Sequence, residues 1–204
     1  MTAPLKAIET VYKGYRFRSR LEARWAVFFD TLGLAWEYEP EGFDLDGLWY
    51  LPDFRFDEYL SFIEIKGSEP SAREIELASR LAAAEGGLFK EEFRAQGVYI
   101  LVGSEFPPRK ILRFAQDCKP RPSDGFIHWD DDHYLQESDA TDCTFAVCPV
   151  CGKAGILGWK DHPFYDILKS EGAWRSYFSN RWISNAYFAA RTARFEHGQN
   201  GMPK

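Results

Sequence analysis

The sequence predicts a mixed α/β fold, an α+β arrangement in which helices lie on both faces of a mixed β-sheet. Two amphipathic helical segments enclose a run of short strands, and the second helix leads to one further strand. That strand, Val98 to Val102, is apolar and rich in β-branched residues, which is typical of a strand buried on both faces of a sheet. The predicted order from Arg20 to Gly103 is helix, three strands, helix, strand, with a crossover before the last strand.

The first helix is predicted from a capping box. Ser19 stands three residues before Glu22, the spacing at which the two side chains satisfy free backbone N–H groups of the first turn. Apolar residues then recur at helical spacing until Gly33 ends the helix. These apolar residues are Leu21, Trp25, Phe28, Phe29 and Leu32.

The next two predicted strands form a hairpin, from Tyr50 to Phe54 and from Phe62 to Gly67. If its loop is centred on residues 58 and 59, the antiparallel register places Asp53 opposite Glu64, with Cβ atoms roughly 5 Å apart. Lys66 lies on the same face, about 6.6 Å further along the strand. The apolar residues Phe54, Ile63 and Ile65 face the opposite way, towards a core.

Other elements follow from periodicity and turn residues. The segment Ala35 to Glu39 alternates as a strand, with Phe43 to Leu45 as its candidate continuation. A second capping box at Ser71 and Glu74 opens a helix that runs towards Gly86 and Gly87. We further expect a short helix from Lys110 to Gln116 and helical sequence from about Phe164 to Arg194. Residues 1–108 would form the core, 109–142 a basic then acidic connection, and 143–204 a C-terminal appendage.

The net charge of −6 is concentrated in one segment. Seven acidic residues and no Lys or Arg lie between Asp124 and Asp142, so the −6 total with these seven removed leaves +1 for the rest of the chain. A local basic face is therefore compatible with the composition. No apolar run approaches the ~20 residues of a membrane span, and no signal-peptide pattern is present, so we expect a cytoplasmic protein.

The negative charges of the carboxylate pair predicted at Asp53 and Glu64 must be compensated by a positive charge or a proton. Like charges directly opposite each other in a sheet are destabilising, unless a cation or a shared proton neutralises them. Hard oxygen ligands around Mg²⁺, with a lysine beside them, are suited to phosphodiester hydrolysis. The alternative is an ordinary amphipathic hairpin in which Glu64 and Lys66 form a weak surface ion pair.

Residues 15 to 103 resemble the PD-(D/E)XK nuclease superfamily. Pro52, Asp53, Glu64 and Lys66 match its signature in order and spacing, with Ile65 as the intervening residue. The segment from Phe17 to Ala23 is similar to the branch with an extra glutamate on the first helix, which includes endonuclease subunits of heteromeric transposases. The resemblance implies a restriction-endonuclease-like αβββαβ core followed by a helical appendage.

The resemblance also implies a Mg²⁺- or Mn²⁺-dependent endonuclease acting on DNA through a metal-activated water. Asp53 and Glu64 would hold the metal, aided by the Ile65 backbone carbonyl, and Lys66 would position the nucleophile. Glu22 would add a ligand, directly or through water. A role for Glu22 in the helix cap alone remains open, and the two roles do not exclude each other.

Two groups of basic residues are candidate nucleic-acid contacts. Arg18, Arg20 and Arg24 would clamp backbone phosphates, although a solvated helix face explains each of them equally well. Arg191 and Arg194 lie on the last predicted helix, where packing against the core and phosphate contact are the two alternatives.

A second candidate site is the C-x-x-C pair Cys148 and Cys151, which resembles one knuckle of a zinc ribbon. Cys143 and His133 rank first as further zinc ligands. Reduced cysteines in a turn without metal explain the pair equally well. Two alternative functions follow for the chain: a catalytically inactive nucleic-acid-binding or assembly module on the same fold, and a regulator whose activity lies in the zinc knuckle.

Overall fold

The computed structural model of the chain describes residues 7–56, 61–83, 97–114, 119–120, 127–128, 143–147, 154–158 and 181–195. Within these residues the fold is mixed α/β. The helices are α1 (Arg20–Leu32), α2 (Ala72–Ala82) and α3 (Arg181–Thr192). The central sheet contains β3 (Glu37–Tyr38), β6 (Phe54–Phe56), β7 (Ser61–Lys66), β8 (Gly97–Val102) and β9 (Lys110–Phe114).

The remaining described strands form two-stranded antiparallel pairs. These are β1 (Thr10–Tyr12) with β2 (Tyr15–Phe17), β4 (Phe43–Asp44) with β5 (Trp49–Tyr50), β10 (Lys119–Pro120) with β11 (Ile127–His128), and β12 (Cys143–Val147) with β13 (Ala154–Gly158). Of the described helices, none combines the length and apolar composition needed to cross a membrane.

The central sheet has the strand order β3-β6-β7-β8-β9 and is mixed. β7 and β8 run parallel, whereas the other neighbouring pairs are antiparallel. α2 lies between β7 and β8 in the chain and provides the crossover that a parallel connection requires. This arrangement confirms the predicted mixed sheet. The described residues between α1 and α2 contain five strands instead of the predicted three, because β4 and β5 form an additional hairpin outside the central sheet.

Both faces of the sheet are covered by apolar side chains. Ile63 of β7 belongs to a core shared with α1 and α3, while its neighbour Phe62 belongs to a second core formed with α2. Because successive side chains of a strand point to opposite faces, β7 contributes to both cores. Every residue of β8 is buried, as its apolar sequence predicts.

α1 follows its sequence signals closely. The Ser19 side chain accepts a hydrogen bond from the backbone N–H of Glu22, and Gly33 ends the helix with a φ of 72°. Trp25, Phe28 and Phe29 are fully buried. α3 packs on this helix, with the rings of Phe28 and Tyr187 stacked 4.6 Å apart. The predicted packing of the terminal helix against the core is thus confirmed.

The predicted helix from Lys110 to Gln116 is wrong, because Lys110–Phe114 form strand β9. This strand pairs antiparallel with β8, from Val102 opposite Lys110 to Val98 opposite Phe114. A helix of seven residues is marginal in isolation, whereas the free edge of β8 offers a row of unpaired N–H and C=O groups. Sheet pairing therefore overrides the local pattern.

Other boundaries also differ from the sequence predictions. The strand expected from Ala35 to Glu39 is reduced to Glu37–Tyr38, and Phe43 does not continue it but pairs with Tyr50 in a separate hairpin. Glu39 has a φ of 45°, a left-handed conformation that ends the extended run. The described part of the terminal helix starts at Arg181; residues 164–180 lie outside the described residues, as do Gly86 and Gly87.

Candidate active site

The hairpin register agrees with the sequence prediction. Phe54 lies opposite Ile63, so the next pair along the two strands is Asp53 and Glu64. Both side chains are buried, with 2% of Asp53 and 7% of Glu64 exposed. Phe54, Ile63 and Ile65 are buried on the α1 side, as expected. The structure therefore brings the two predicted carboxylates together in a place that solvent barely reaches.

Asp53 is held by one backbone and one side-chain donor. Its Oδ2 atom accepts a hydrogen bond from the Ile65 backbone N–H at 2.7 Å, and its Oδ1 atom lies 2.5 Å from the Arg18 guanidinium. Burial raises the pKa of Asp53 well above its ordinary value, and the charges of Glu64 and Glu22 raise the pKa further. The two donors oppose this shift without reversing it.

Glu64 and Lys66 form an ion pair at the end of β7. The Lys66 ammonium lies 2.8 Å from Glu64 Oε1, and the Tyr50 hydroxyl donates to Glu64 Oε2 at 3.4 Å. Burial raises the pKa of Glu64 even though Lys66 favours its charged form. The interpretation of this hairpin as having a solvated polar face is therefore wrong, because Glu64 lies in a buried position.

Lys66 is shared between two carboxylates. Its ammonium also lies 2.6 Å from Glu74 Oε1, on the first turn of α2. Burial lowers the pKa of Lys66, but the two carboxylates outweigh it and leave the pKa raised. For Glu74, partial burial opposes the shift, yet hydrogen bonds from Lys66 and Ser71 lower the pKa to about 2. Lys66 is thus a protonated, positioned cation at neutral pH.

Glu22 lies at the rim of this cluster and is also buried. Its Oε2 atom accepts hydrogen bonds from the Tyr38 hydroxyl at 2.6 Å and the Arg18 backbone N–H at 3.1 Å. Its Oε1 atom accepts from the Ser19 hydroxyl at 2.6 Å. The predicted capping box is therefore only half formed, since the Glu22 carboxylate binds the N–H of Arg18 instead of that of Ser19. The charge of Glu22 nevertheless acts on Asp53.

Negative charge exceeds positive charge in this cluster. Within the described residues, two adjacent groups of contacts together contain five carboxylates and two cationic side chains, a formal excess of three negative charges when all are ionised. The carboxylates are Glu22, Glu39, Asp53, Glu64 and Glu74, and the cations are Arg18 and Lys66. A buried excess of negative charge favours the uptake of protons or of a cation.

The donor set suits a hard divalent cation. Asp53 and Glu64 offer carboxylate oxygens, and Mg²⁺ in proteins is commonly held by one or two carboxylates with water completing its shell. In the part of the chain that the structure describes, no three His, Cys, Asp or Glu side chains are gathered as a ready-made metal site. Glu22 is engaged by Tyr38, Ser19 and Arg18, so its direct ligation, like that by the Ile65 carbonyl, stays a prediction.

The three arginines predicted to bind phosphate fall into two environments. Arg18 contacts Asp53 and, at 2.8 Å, Glu39, so it belongs to the carboxylate cluster. Arg20 and Arg24 instead line a cleft of about 410 Å³ together with Arg191 and Arg194. Phosphate binding by Arg18, Arg20 and Arg24 stays a prediction.

Three of the four predicted zinc ligands lie outside the described residues. These are Cys148, Cys151 and His133. Cys143 is the first residue of β12, paired with Gly158 of β13. The zinc site therefore also stays a prediction.

The sequence reasoning missed four residues of this network, which are Glu39, Tyr38, Tyr50 and Glu74. Glu74 was visible only as part of a capping box, which the structure confirms in full. Tyr38 lies in the segment predicted as a strand, and its ring packs 4.4 Å from that of Phe17, but its hydroxyl also donates a hydrogen bond to Glu22. No local signal identifies Glu39 or Tyr50, because their partners are distant in sequence.

In comparisons with known proteins, no family model, no curated protein and no solved structure matches the chain. What the site can do follows from its own residues and charges.

Proposed function

We propose that the chain is a divalent-metal-dependent nuclease that hydrolyses phosphodiester bonds of DNA. The observation that carries this proposal is the buried, adjacent pair Asp53 and Glu64, with the Lys66 ammonium 2.8 Å from Glu64. The resemblance of these residues to the PD-(D/E)XK signature supports the same reaction.

Asp53 and Glu64 are the residues that would hold Mg²⁺ or Mn²⁺. When bound, such an ion polarises a phosphoryl oxygen and lowers the pKa of a coordinated water. The chain supplies two fixed carboxylates for this purpose, because Asp53 is oriented by the Ile65 N–H and Glu64 by Lys66 and Tyr50. Binding a cation also requires both carboxyl groups to lose their protons, so affinity should fall as pH falls.

Lys66 acts as a positioned cation in this proposal. Its ammonium is held between Glu64 and Glu74, and its raised pKa keeps it protonated. A protonated lysine cannot take a proton from water, so it orients the attacking water or neutralises charge that develops on the phosphate. Ser71 and Glu74 fix this position from the start of α2.

The competing proposal is a catalytically inactive nucleic-acid-binding module. The contact between Arg18 and Asp53 favours it, since a guanidinium already occupies one oxygen of a candidate metal ligand. A module that only binds, however, gains nothing from a buried excess of negative charge, which repels a phosphate backbone. We therefore place the nuclease first.

The deciding experiment is a cleavage screen with duplex, single-stranded and branched DNA and with RNA. We expect cleavage of DNA with Mg²⁺ or Mn²⁺, none with EDTA, and loss of cleavage by at least ~10²-fold in Asp53→Asn, because a metal ligand and its charge are removed. The matched control is Asp46→Asn, the same substitution at a side chain that is 93% exposed and pairs with Arg80.

Three outcomes would contradict the nuclease. Cleavage that survives EDTA would exclude the metal-dependent reaction. DNA binding without cleavage under any metal would favour the inactive module. Stoichiometric zinc, with nucleic-acid binding that survives Asp53→Asn, would favour a regulator based on Cys148 and Cys151.

A further inference from the structure

The cleft between the start of α1 and the end of α3 is lined by four arginines. Its lining residues are Arg20, Arg24, Arg191, Thr192, Ala193, Arg194 and Phe195, around a volume of about 410 Å³. Among these described residues none is acidic, so the cleft has a strongly positive lining. Such a concentration of positive charge creates a local potential that attracts anions.

Two of the arginines lie in an electrostatically unfavourable position. Arg20 is the first residue of α1 and Arg24 lies one turn later, where the partial positive charge of a helix N-terminus repels cations. Arg191 lies in the last turn of α3, where the helix dipole favours it, but Arg194 lies beyond the helix end at Thr192. Capping of the α3 terminus therefore explains Arg191 but not Arg194.

Arg24 is partly buried where it lines the cleft. Its Nε atom is buried and has no hydrogen-bond partner within the described residues. A buried, charged donor without an acceptor is unfavourable, since burial removes the water that would otherwise bind it. An anion in the cleft would meet the outer nitrogens of the guanidinium groups, whose planar arrangement matches the oxygens of a phosphate.

The cleft lies beside the carboxylate cluster but faces another direction. Arg20 and Arg24 are four residues apart and share one flank of α1, whereas Glu22, between them, points to the other flank. The two flanks are separated by about one helix diameter, ~10 Å, and about three nucleotides at ~3.4 Å per step cover that distance. One strand of nucleic acid can therefore reach both places.

We infer that this cleft binds a backbone phosphate of the nucleic acid whose phosphodiester lies at Asp53 and Glu64. The inference rests on the proposed function only for the second half of this statement, because phosphate binding does not require cleavage. The cleft would hold the strand a few nucleotides from the reacting bond and set its direction across the start of α1.

The test measures binding of the full-length protein to a short DNA duplex in EDTA, where metal-dependent cleavage does not occur. The variant is Arg191→Gln/Arg194→Gln, which spares the first turn of α1. The control is Arg80→Gln/Arg181→Gln, which removes the same charge from α2 and from the far end of α3. Affinity is followed between about 50 and 200 mM salt, because phosphate contacts set the salt dependence.

We expect the cleft variant to bind about 10-fold more weakly and to lower the slope of log affinity against log salt by about 1 to 2, with the control changing much less. Equal losses in the two variants would overturn the inference, since total charge would then explain both. Absence of any DNA binding by the wild type would overturn it as well.

Two further results separate this inference from its alternatives. If inorganic phosphate raises the Tm of the wild type but not of the cleft variant, while both bind DNA equally, the cleft is a free-anion site and the backbone assignment fails. If the variant loses Tm without DNA while its DNA affinity is unchanged, the arginines serve an internal ion pair instead. Loss of binding in the cleft variant without cleavage by the wild type would support the cleft and refute the nuclease.

Discussion

The carboxylate cluster and the arginine cleft lie on two flanks of the same helix terminus. They differ in how far their charged side chains are buried and held by contacts. In the cluster, Asp53 and Glu64 are buried, and each accepts contacts from positioned donors. In the cleft, Arg191 and Arg194 are exposed, and the buried Nε of Arg24 has no partner within the described residues. One region is organised before a ligand arrives, whereas the other presents exposed positive charge to a ligand.

This difference matches two requirements of a phosphodiester-cleaving protein. Reacting groups must be held in place in advance, because reorganisation during the reaction raises the barrier. Backbone contacts need only attract and align the strand, and exposed guanidinium groups do this with little loss of solvation. Arg18 is the exception, since it is an arginine inside the carboxylate cluster.

The largest effect should come from Lys66. We expect Lys66→Met to lower the rate of DNA cleavage by about 10³-fold, because the charge that orients water or neutralises the phosphate is removed. DNA affinity in EDTA should change little, which separates this residue from the arginine cleft. Single-turnover kinetics and binding assays measure the two quantities. Lys110→Met, at a lysine that pairs with Glu69 on a neighbouring surface, is the control. A rate within a few-fold of wild type in Lys66→Met would remove Lys66 from the proposed site.

An intermediate effect is expected for Arg18. Arg18→Gln removes the guanidinium that contacts Asp53 Oδ1, so Mn²⁺ should bind about 10-fold more tightly at pH 8, where the carboxylates are ionised. Isothermal titration calorimetry measures this affinity. Arg24→Gln, a substitution in the cleft, should leave it unchanged. Weaker Mn²⁺ binding in Arg18→Gln would show that Arg18 supports the metal site instead of competing with the metal.

The smallest effect should be on stability. Burial raises the folded-state pKa of Asp53 and of Glu64, so the folded protein binds protons more tightly than the unfolded chain. The free energy of unfolding in EDTA should therefore fall as pH rises above about 4.3, the ordinary Glu value, through these raised pKa values. Glu64→Gln removes one of the two charges, and its amide can still accept from Lys66 and donate to the Tyr50 oxygen.

We accordingly expect Glu64→Gln to raise the Tm by roughly 2 to 5 °C at pH 8 in EDTA and to flatten the pH dependence. Thermal unfolding followed by circular dichroism from pH 5 to pH 8 measures the difference from wild type. Glu76→Gln, at an exposed pair with Arg80, is the control. A Tm lower than that of the wild type at pH 8 would mean that the Glu64 charge stabilises the fold.

The strand elements differ in how far the sequence predicts them. The register of Asp53 opposite Glu64 was correct, because alternation along a strand and a short loop leave few ways to align a hairpin. The prediction of β8 as a buried strand was correct, because a wholly apolar run is unfavourable in contact with water. β9 was predicted as a helix, since its local pattern does not show that the edge of β8 lies beside it.

The two capping boxes show the same limit of sequence prediction. They share one motif, but their glutamates bind different donors. In Ser71-x-x-Glu74 the carboxylate binds the Ser71 N–H, as the motif predicts. In Ser19-x-x-Glu22 the carboxylate binds the Arg18 N–H and the Tyr38 hydroxyl. Tyr38 is sixteen residues away along the chain, so the motif alone contains no information about it.

The sequence by itself therefore determined the helices α1 and α2 and the hairpin register. It also determined the choice of Asp53, Glu64 and Lys66 as candidate site residues. These follow from periodicity and spacing within a few residues. Only the tertiary structure decided which charge meets which, including the contact of Arg18 with Asp53 and the meeting of Arg24 with Arg191 in one cleft. Such partners are distant in the chain, and their approach depends on how whole helices pack on the sheet.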